Sequence, residues 1–526
     1  MHRKKFCNIL LHILFLLLLA GEAIVTAVMI HLDMLPIIYL VVAVLVLALV
    51  DYCVCRLFFR PGKRVVRCRK LIGVIIVVVL LAGCAVVSVV ANDVIKTLEA
   101  TSQEPPQVAT REIYVLQNNK AQVLSDTVGY TFGYVKGFDE ASAQQVLEQM
   151  SREIPGNYAT AGYTNLFVMV KALLNEQIDA MILNGGYIDI LEETEGFEAF
   201  SQKVRILAQF EVDDVAQENL LPAETIAPEE VIEATEAATV PEETPEQEPE
   251  AEESAPKKLQ PFLVYVSGSD SHTEMLSSGR SDVNILAAVN PLTKQILLVN
   301  TPRDYYVSNT SGGWEKDKLT HCGLYGISCS MNTLGNLYDQ TVDYYVQINF
   351  TGFKNLIDAM GGITVYSDYA FTAITRTYIS EGENHLNGQQ ALDFARERYT
   401  LKGGDNERGR HQMQVIEAAI KKATTGSTII SNYSEIMGSV EGMFTMSIPM
   451  ELVSDLIKMQ LSDMAQWNVV TYSATGYDSS EECFSLPGME LAVIIPDQGS
   501  VSKATRLIDM VFAGEFLTEE VMNNIN

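Results

Sequence analysis

The sequence predicts an α/β protein. A mixed central β-sheet between helical layers is carried behind three transmembrane helices and a small α/β accessory domain. Three apolar runs, each about 20 residues and so long enough to span a bilayer core, fill the first 91 positions. A Glu-, Pro-, Ala- and Thr-rich stretch then separates two regions of ordinary globular composition. From Phe262 onward, short Val/Ile/Leu-rich segments interleave with longer amphipathic ones, as strands and helices of one domain do.

The spans are expected at 9–30, 37–59 and 71–91. MHRKK precedes the first and RLFFRPGKRVVRCRK separates the second from the third, whereas the HLDMLP loop has no lysine or arginine. Positive-inside counting gives a multi-pass cell-membrane protein with a cytoplasmic N-terminus and everything after Ala91 outside. Glu22 and Asp51 interrupt the apolar runs. Helical rise sets them about 12 Å and about 21 Å below the outer surface, so they are not expected to lie level. Five of the eight cysteines fall in or beside the spans. Cys322 and Cys329, on one helix, would stand about 10 Å apart along the axis, too far to bridge, so free thiols are expected.

Residues 92–210 read as the accessory domain. REIYVLQ and VGYTFGYV are strand-like, SAQQVLEQMSREI is helical, and TNLFVMVKALLNEQIDAMIL reads as a helix feeding a strand. ALLNEQIDAMILNGGYIDIL resembles part of a periplasmic solute-binding lobe, although no carboxylate or histidine cluster accompanies it, and a structural spacer is the expected role. Residues 211–260 form the linker. Glu211–Pro256 holds sixteen acidic and no basic side chains, over half of the chain's net charge of −29, and is expected to be a disordered, self-repelling tether. With the excess charge confined there and no basic face elsewhere, nucleic acid is excluded as a partner.

Residues 261–526 form the C-terminal domain, packed as one unit to about Phe516. PFLVYVSGSD is a buried strand ending in a Gly/Ser loop. VNILAAVN and QILLVNTPRD form a hairpin through Asn290–Lys294. Tyr344–Phe350 is a further strand and Thr351–Met360 a helix capped by Gly361 and Gly362. Helical patterns recur at Gln389–Phe394, Glu407–Thr424, Pro449–Met464 and Ser500–Phe516, with strands at Val469–Ser473 and Leu491–Ile495.

Its arginines stand beside these apolar segments, where each needs an anion or carboxylate to meet it. Arg280 and Asp282 alternate in an extended segment and should share a face. Arg303 and Asp304 follow a strand, and Arg408 and Gln412 share a helical face. Arg396 and Arg398 diverge on a helix, so both serve one ligand only if the helix unwinds by about Ala395. Arg410 points away from Arg408 and ranks lower. Arginines converging in this way imply a polyanion such as a diphosphate. No G-x-S-x-G elbow or Walker loop is present, and His321 and His385, without a Ser/Asp context, read as structural.

SGSD, GRSD, TPRD, VDYYVQINF, IDAMGGITV, LNGQQALDFARERY and GDNERGRHQ, in this order and spacing, resemble the LytR-CpsA-Psr family over about Phe262–Thr424. The resemblance implies an enzyme of the outer membrane face that moves a glycopolymer, of teichoic acid or capsule type, from a polyprenyl-pyrophosphate carrier to peptidoglycan. It further implies that Asp270 and Asp282 hold Mg²⁺, with Mn²⁺ as an alternative. Arg280, Arg303, Arg396, Arg398, Arg408 and Gln412 would hold the pyrophosphate, while Asp304 with Arg303 serves orientation or proton transfer. The sequence leaves open a polyprenyl-pyrophosphate hydrolase and a polyprenyl-phosphate-binding regulator that never turns over.

Overall fold

The computed structural model describes residues 2–32, 35–60, 66–101, 108–136, 139–154, 158–192, 194, 196–213, 259–269, 279–401, 404–424 and 443–525. Most of the acidic linker, Asp270 and the residues up to 278 lie outside them.

Helices α1 (His2–Leu32), α2 (Ile37–Phe59) and α3 (Val66–Thr101) open the chain. Each contains a window long and apolar enough to cross a membrane, at Ile9–His31, Ile37–Phe59 and Cys68–Asn92. Leu11, Leu18, Val54, Phe58 and Val77 form a thin core between them, while many other apolar side chains face outward. Helix α3 continues to Thr101, past the expected end at 91. The carboxyls of Glu22 and Asp51 lie near enough to interact. The expectation that they sit at different depths is corrected, because rise counted from each helix end ignores the stagger of helices in the bundle.

The accessory unit comprises β1 (Val108–Leu116), β2 (Thr131–Val135), α4 (Glu140–Glu153), β3 (Ala159–Tyr163), α5 (Leu166–Leu174), β4 (Ala180–Leu183), α6 (Gly186–Glu192) and β5 (Val204–Asp213). Its sheet runs β3-β2-β4-β1-β5, with β2 parallel to β3 and β4, and β1 antiparallel to β4 and β5. Alternation divides its apolar side chains between two faces. Ile113, Val115, Phe132 and Ile182 pack under α4; Tyr114, Met181 and Leu183 pack with α5 and α6.

In the C-terminal unit, β6 (Phe262–Ser269), β7 (Ser281–Asn290) and β8 (Gln295–Asn300) are followed by β9 (Tyr306–Ser308), β10 (Lys316–Lys318), α7 (Leu319–Cys322) and α8 (Ile327–Tyr338). Next come β11 (Tyr344–Asn349), α9 (Phe350–Ala359), β12 (Ile363–Ser367), β13 (Phe371–Thr372), β14 (Tyr378–Ile379), β15 (Gly382–Leu386), α10 (Gly388–Arg396) and α11 (Gly404–Thr424). The chain closes with β16 (Phe444–Met446), α12 (Met450–Asp463), β17 (Asn468–Ser473), β18 (Gly476–Cys483), β19 (Leu486–Pro496), α13 (Gln498–Phe512) and α14 (Glu519–Asn524).

The main sheet has the order β16-β11-β6-β7-β8-β17 and is mixed: β11 and β17 run parallel to β6 and β8, and the remaining pairs are antiparallel. Because successive strand residues face opposite ways, Leu263, Tyr265, Leu286, Ala288, Leu297 and Val299 pack with α8 and α13. Phe262, Val264, Ile285, Ala287, Ile296 and Leu298 pack on the other face with Met413, Ile416, Leu452 and Leu456 of α11 and α12. This is the expected sheet between helical layers. The domain reaches past Phe516, since Met522 and Ile525 join the first of these cores.

Residues 319–338 are not one helix. A 3-10 turn at Gly323–Tyr325 and Gly326, at φ 90°, break it between α7 and α8. The break folds the chain back so that the thiols of Cys322 and Cys329 come near enough to interact, correcting the expected 10 Å separation; Cys322 Sγ donates to Lys318 O at 3.9 Å and Cys329 Sγ to Asn309 Oδ1 at 3.2 Å. Both are free and buried.

Candidate active site

The chemistry-bearing residues are scattered in sequence, yet the sheet collects them along one edge. β6 ends at Ser269, Arg280 and Asp282 lie at the start of β7, and Arg303 and Asp304 follow β8. Antiparallel pairing of β7 with both neighbours places these ends together. Parallel β11 finishes at the same edge, Asn349 opposite Ser269, so Phe350 and the Arg396 guanidinium 4.2 Å above its ring belong to that edge too.

A shallow open cleft at the edge is lined by Asp282, Asn300, Thr301, Pro302, Arg303, Arg408, Gly409 and Gln412. Each wall has a local cause. In the β6–β7 register Ser269 faces Ser281 and Gly268 faces Val283, which leaves Asp282 as the extra residue of a bulge. Bulges of this kind re-aim a side chain, and here the bulge interrupts the simple alternation of Arg280 with Asp282. Beneath it lies a buried polar network. The Tyr265 hydroxyl donates to Asn284 Oδ1 at 2.8 Å and meets Ser281 Oγ at 2.6 Å, while Asn284 Nδ2 donates to Ser281 O at 2.7 Å. Arg303 is pinned on both sides: Thr301 N donates to Asn284 O, and Thr320 N donates to Arg303 O. On α11, Gly409 sits where an added Cβ would come within 2.4 Å of Asn300 Nδ2, so glycine permits the close approach that brings Arg408 and Gln412 to the end of β8.

The electrostatics favour an anion. Arg303 Nη1 donates to Asp282 Oδ1 at 2.8 Å. Burial alone would raise the Asp282 pKa, but Arg303, Arg280 and Arg408 together hold it below the ordinary carboxylate range. Asp304 lies 3.7 Å from Arg303 Nε and 3.1 Å from Lys318 Nζ, so the line Asp282–Arg303–Asp304–Lys318 alternates in sign. Lys318, buried, was missed because EKDK reads as a solvated charge run. Asn300 and Thr301 were missed because only tertiary packing marks them.

Arg396 and Arg398 do not line the cleft. Helix α10 runs through Arg396 and ends at Glu397 with ψ 133°, one residue later than the expected unwinding. Arg398 lies 4.6 Å above the Tyr399 ring. Buried Glu397 holds this corner, accepting from the amides of Ile374, Arg398 and Thr400 at 2.6, 3.0 and 3.0 Å. Arg410 turns outward to Asp368 and Glu407.

His321 has the Ser/Asp context that the sequence seemed to lack. Its Nδ1 stands 2.8 Å from both Asp317 Oδ1 and Ser485 Oγ, and Ser485 Oγ donates to Asp317 Oδ2 at 2.5 Å. Serine nucleophiles need the acid and the serine on opposite imidazole nitrogens. Here both meet the same nitrogen, and all three residues are at most 2% exposed. The trio is structural.

Among the described residues, no group of three or more His, Cys, Asp or Glu side chains forms a metal cage. Asp282 is the one carboxylate among the described residues that line the cleft. That donor set suits Mg²⁺ arriving with phosphate, which commonly binds through one or two carboxylates plus phosphate oxygens and water. Asp270 falls outside the described residues.

A model of the LytR_cpsA_psr family matches residues 230–488. The chain is 37% identical over 183 residues to the polyisoprenyl-teichoic acid–peptidoglycan teichoic acid transferase TagU of Enterococcus faecalis, a span of 34% of this chain and 59% of that protein. It is 31% identical over 202 residues to the Bacillus cereus protein of the same name, covering 38% of this chain and 65% of the relative. The matches thus span about three fifths of those relatives. The crystal structure of B. subtilis TagV aligns over 49% of this chain and 99% of that one, at 26% identity and a TM-score of 0.40. The match to the LytR_cpsA_psr family model thus takes in most of the C-terminal unit, which carries the edge just described.

Proposed function

We propose that this chain is a membrane-anchored phosphotransferase that attaches a polyprenyl-pyrophosphate-linked glycopolymer to peptidoglycan and releases polyprenyl phosphate. The observation that carries the reading is the cleft: one carboxylate held ionised by three arginines, open to solvent, at the edge where four strands end. The names of the curated relatives support the same chemistry.

Arg280, Arg303 and Arg408, with Gln412, grip the two phosphates, and Arg396 and Arg398 flank them on the β11 side. Phosphoryl transfer runs largely on positioning and charge neutralisation, which a ring of fixed guanidinium groups supplies. The acceptor hydroxyl attacks the glycan-linked phosphorus, the bond to the polyprenyl phosphate breaks, and Asp304, between Arg303 and Lys318, takes the hydroxyl proton or holds Arg303 in place. Mg²⁺ held by Asp282 and Asp270, or Mn²⁺ in its place, would add charge neutralisation at the phosphate oxygens. The polyprenyl tail lies along the seam between the sheet and α11/α12, lined by Val266, Val283, Val346, Ile416, Leu452 and Leu456.

Two features support the proposed orientation. The basic residues lie in Arg56–Lys70. At the other end of α2, the Tyr39 hydroxyl donates to Leu461 O of α12 at 3.1 Å. The C-terminal unit therefore meets the bundle end opposite the basic loop, in keeping with an extracellular active site.

The test uses the full chain in detergent with a polyprenyl-pyrophosphate glycan and peptidoglycan fragments. Release of polyprenyl phosphate that requires acceptor and is lost in Arg303→Ala supports transfer. Equal release without acceptor would make the protein a hydrolase, and binding without release a regulator.

A further inference from the structure

The accessory unit does not stand apart from the site. Its Tyr187, Ile190, Leu191 and Phe197 share one apolar core with Cys322, Leu324, Tyr325, Cys329 and Leu486 of the C-terminal unit. Asn165 Nδ2 donates to Pro487 O at 2.7 Å across the same junction. The contact then runs on to the cleft in two steps. An added Cβ on Gly186 would come within 2.4 Å of Leu324 Cδ2 and 3.6 Å of Gly279 Cα. An added Cβ on Gly323 would meet Gly279 O at 2.4 Å and Ser281 N at 2.9 Å. Gly186 is not among the residues at positive φ, so its backbone would accept a side chain; the space does not. Residues Gly279–Ser281 are thus wedged between the accessory turn and the α7–α8 turn, immediately before Asp282.

We propose that the accessory unit is a working wall of the active site, in which the Asn184–Gly185–Gly186 turn positions Arg280 and through it the Asp282 bulge. This rests on the phosphotransferase reading for its kinetic consequence, but not for its structural one. Gly186 is a positioning residue: it touches neither phosphate nor Asp282 and acts by letting helix α6 close on Leu324 and Gly279. Leu324 is 4% exposed, so it has little room to swing aside. A larger residue at 186 must push the accessory turn away, and Arg280 then loses its backing.

The experiment compares full-length wild type, Gly186→Leu, and Gly186→Leu with Leu324→Ala, in detergent. Hydrogen exchange at Gly279–Ser281 is expected to rise about tenfold in the single variant and to return toward wild type when Leu324→Ala makes room. In turnover, kcat/KM should fall about tenfold, the loss of part of one charge-assisted contact. The double variant should recover both. A global folding defect would raise exchange throughout the chain and would not be cured by removing a second buried side chain. Unchanged exchange at Gly279–Ser281 in a folded Gly186→Leu protein would overturn the proposal, as would wild-type kcat/KM in that variant. Changed exchange in a protein whose wild type shows no turnover at all would instead sink the phosphotransferase reading and leave the wedge standing.

Discussion

His411 ties the acid stability of the site helix to one titration. It lies on α11 between Arg408 and Gln412, stacked 4.0 Å from the Phe394 ring and 5.5 Å from that of Phe371, with Nδ1 donating to Phe394 O at 3.2 Å. Burial pushes its pKa down to about 4, and Arg410 pushes the same way against the Phe394 carbonyl. The unfolded chain takes up this proton near pH 6.5. Between about pH 6.5 and about pH 4 the unfolded state therefore binds more protons than the native one, and stability falls as pH falls. Linkage gives a loss of about 2 kcal/mol at pH 5 and about 3.4 kcal/mol below pH 4, with none above pH 7. Exchange of α11 amides, corrected for intrinsic rates, would read this locally in the full chain. His411→Phe keeps the stack and removes the titration, so its protection should lack that 2 kcal/mol of pH dependence. If wild type and His411→Phe lose the same protection between pH 7.5 and pH 5, the buried neutral histidine is not what couples this helix to pH.

Other expectations follow from the same geometry. Asp282→Asn should abolish transfer while the fold persists at neutral pH. Since the Asp282 pKa is lowered, the stability it contributes is present above its unfolded pKa of about 3.8 and lost as pH falls through the folded value, so acid melts of the variant should be flatter only below that point. Gly409→Val must push α11 off Asn300, and displacement of catalytic groups by about 1 Å costs on the order of 100-fold in rate; activity with less than a threefold loss would refute the close-approach argument. Ser485→Ala should leave kcat intact while destabilising the fold by about 1–3 kcal/mol, because it strips a hydrogen bond from buried Asp317. An impermeant thiol reagent on intact cells should label a cysteine placed within 214–258 and miss one beside Lys63; the reverse pattern would invert the topology.

What could be read from the sequence was whatever the chain encodes locally. The strands at 262–269, 281–290 and 295–300 are continuous apolar runs with a turn between the last two, and they fold as such. Helix α9 announces itself by Gly361 and Gly362, both at positive φ. The arginines and Asp282 could be picked out because charges beside apolar runs need an explanation. What could not be read depends on partners far along the chain. The Asp282 bulge arises from register against Ser269. The role of Lys318 depends on Asp304, and the Asp317–His321–Ser485 trio joins positions 168 residues apart. Cys322 and Cys329 meet because Gly326 breaks a helix that periodicity would have continued. Docking of the accessory unit involves apolar residues that would serve equally well in a core of their own.

The hydrogen bond from Tyr39 to α12 has a consequence for how the proposed lipid-linked donor would be handled. Drawing a long isoprenoid chain out through water would cost about 0.8 kcal/mol for each methylene exposed, far more than any diphosphate grip returns. A domain moored so that the helix bordering its apolar seam rests on the bundle spares the chain that crossing. On the proposed function, the tail would slide from lipid into protein along one continuous oily surface, and the encounter would become a search in the plane of the membrane. Severing the mooring would then leave the chemistry of the cleft untouched and slow its supply.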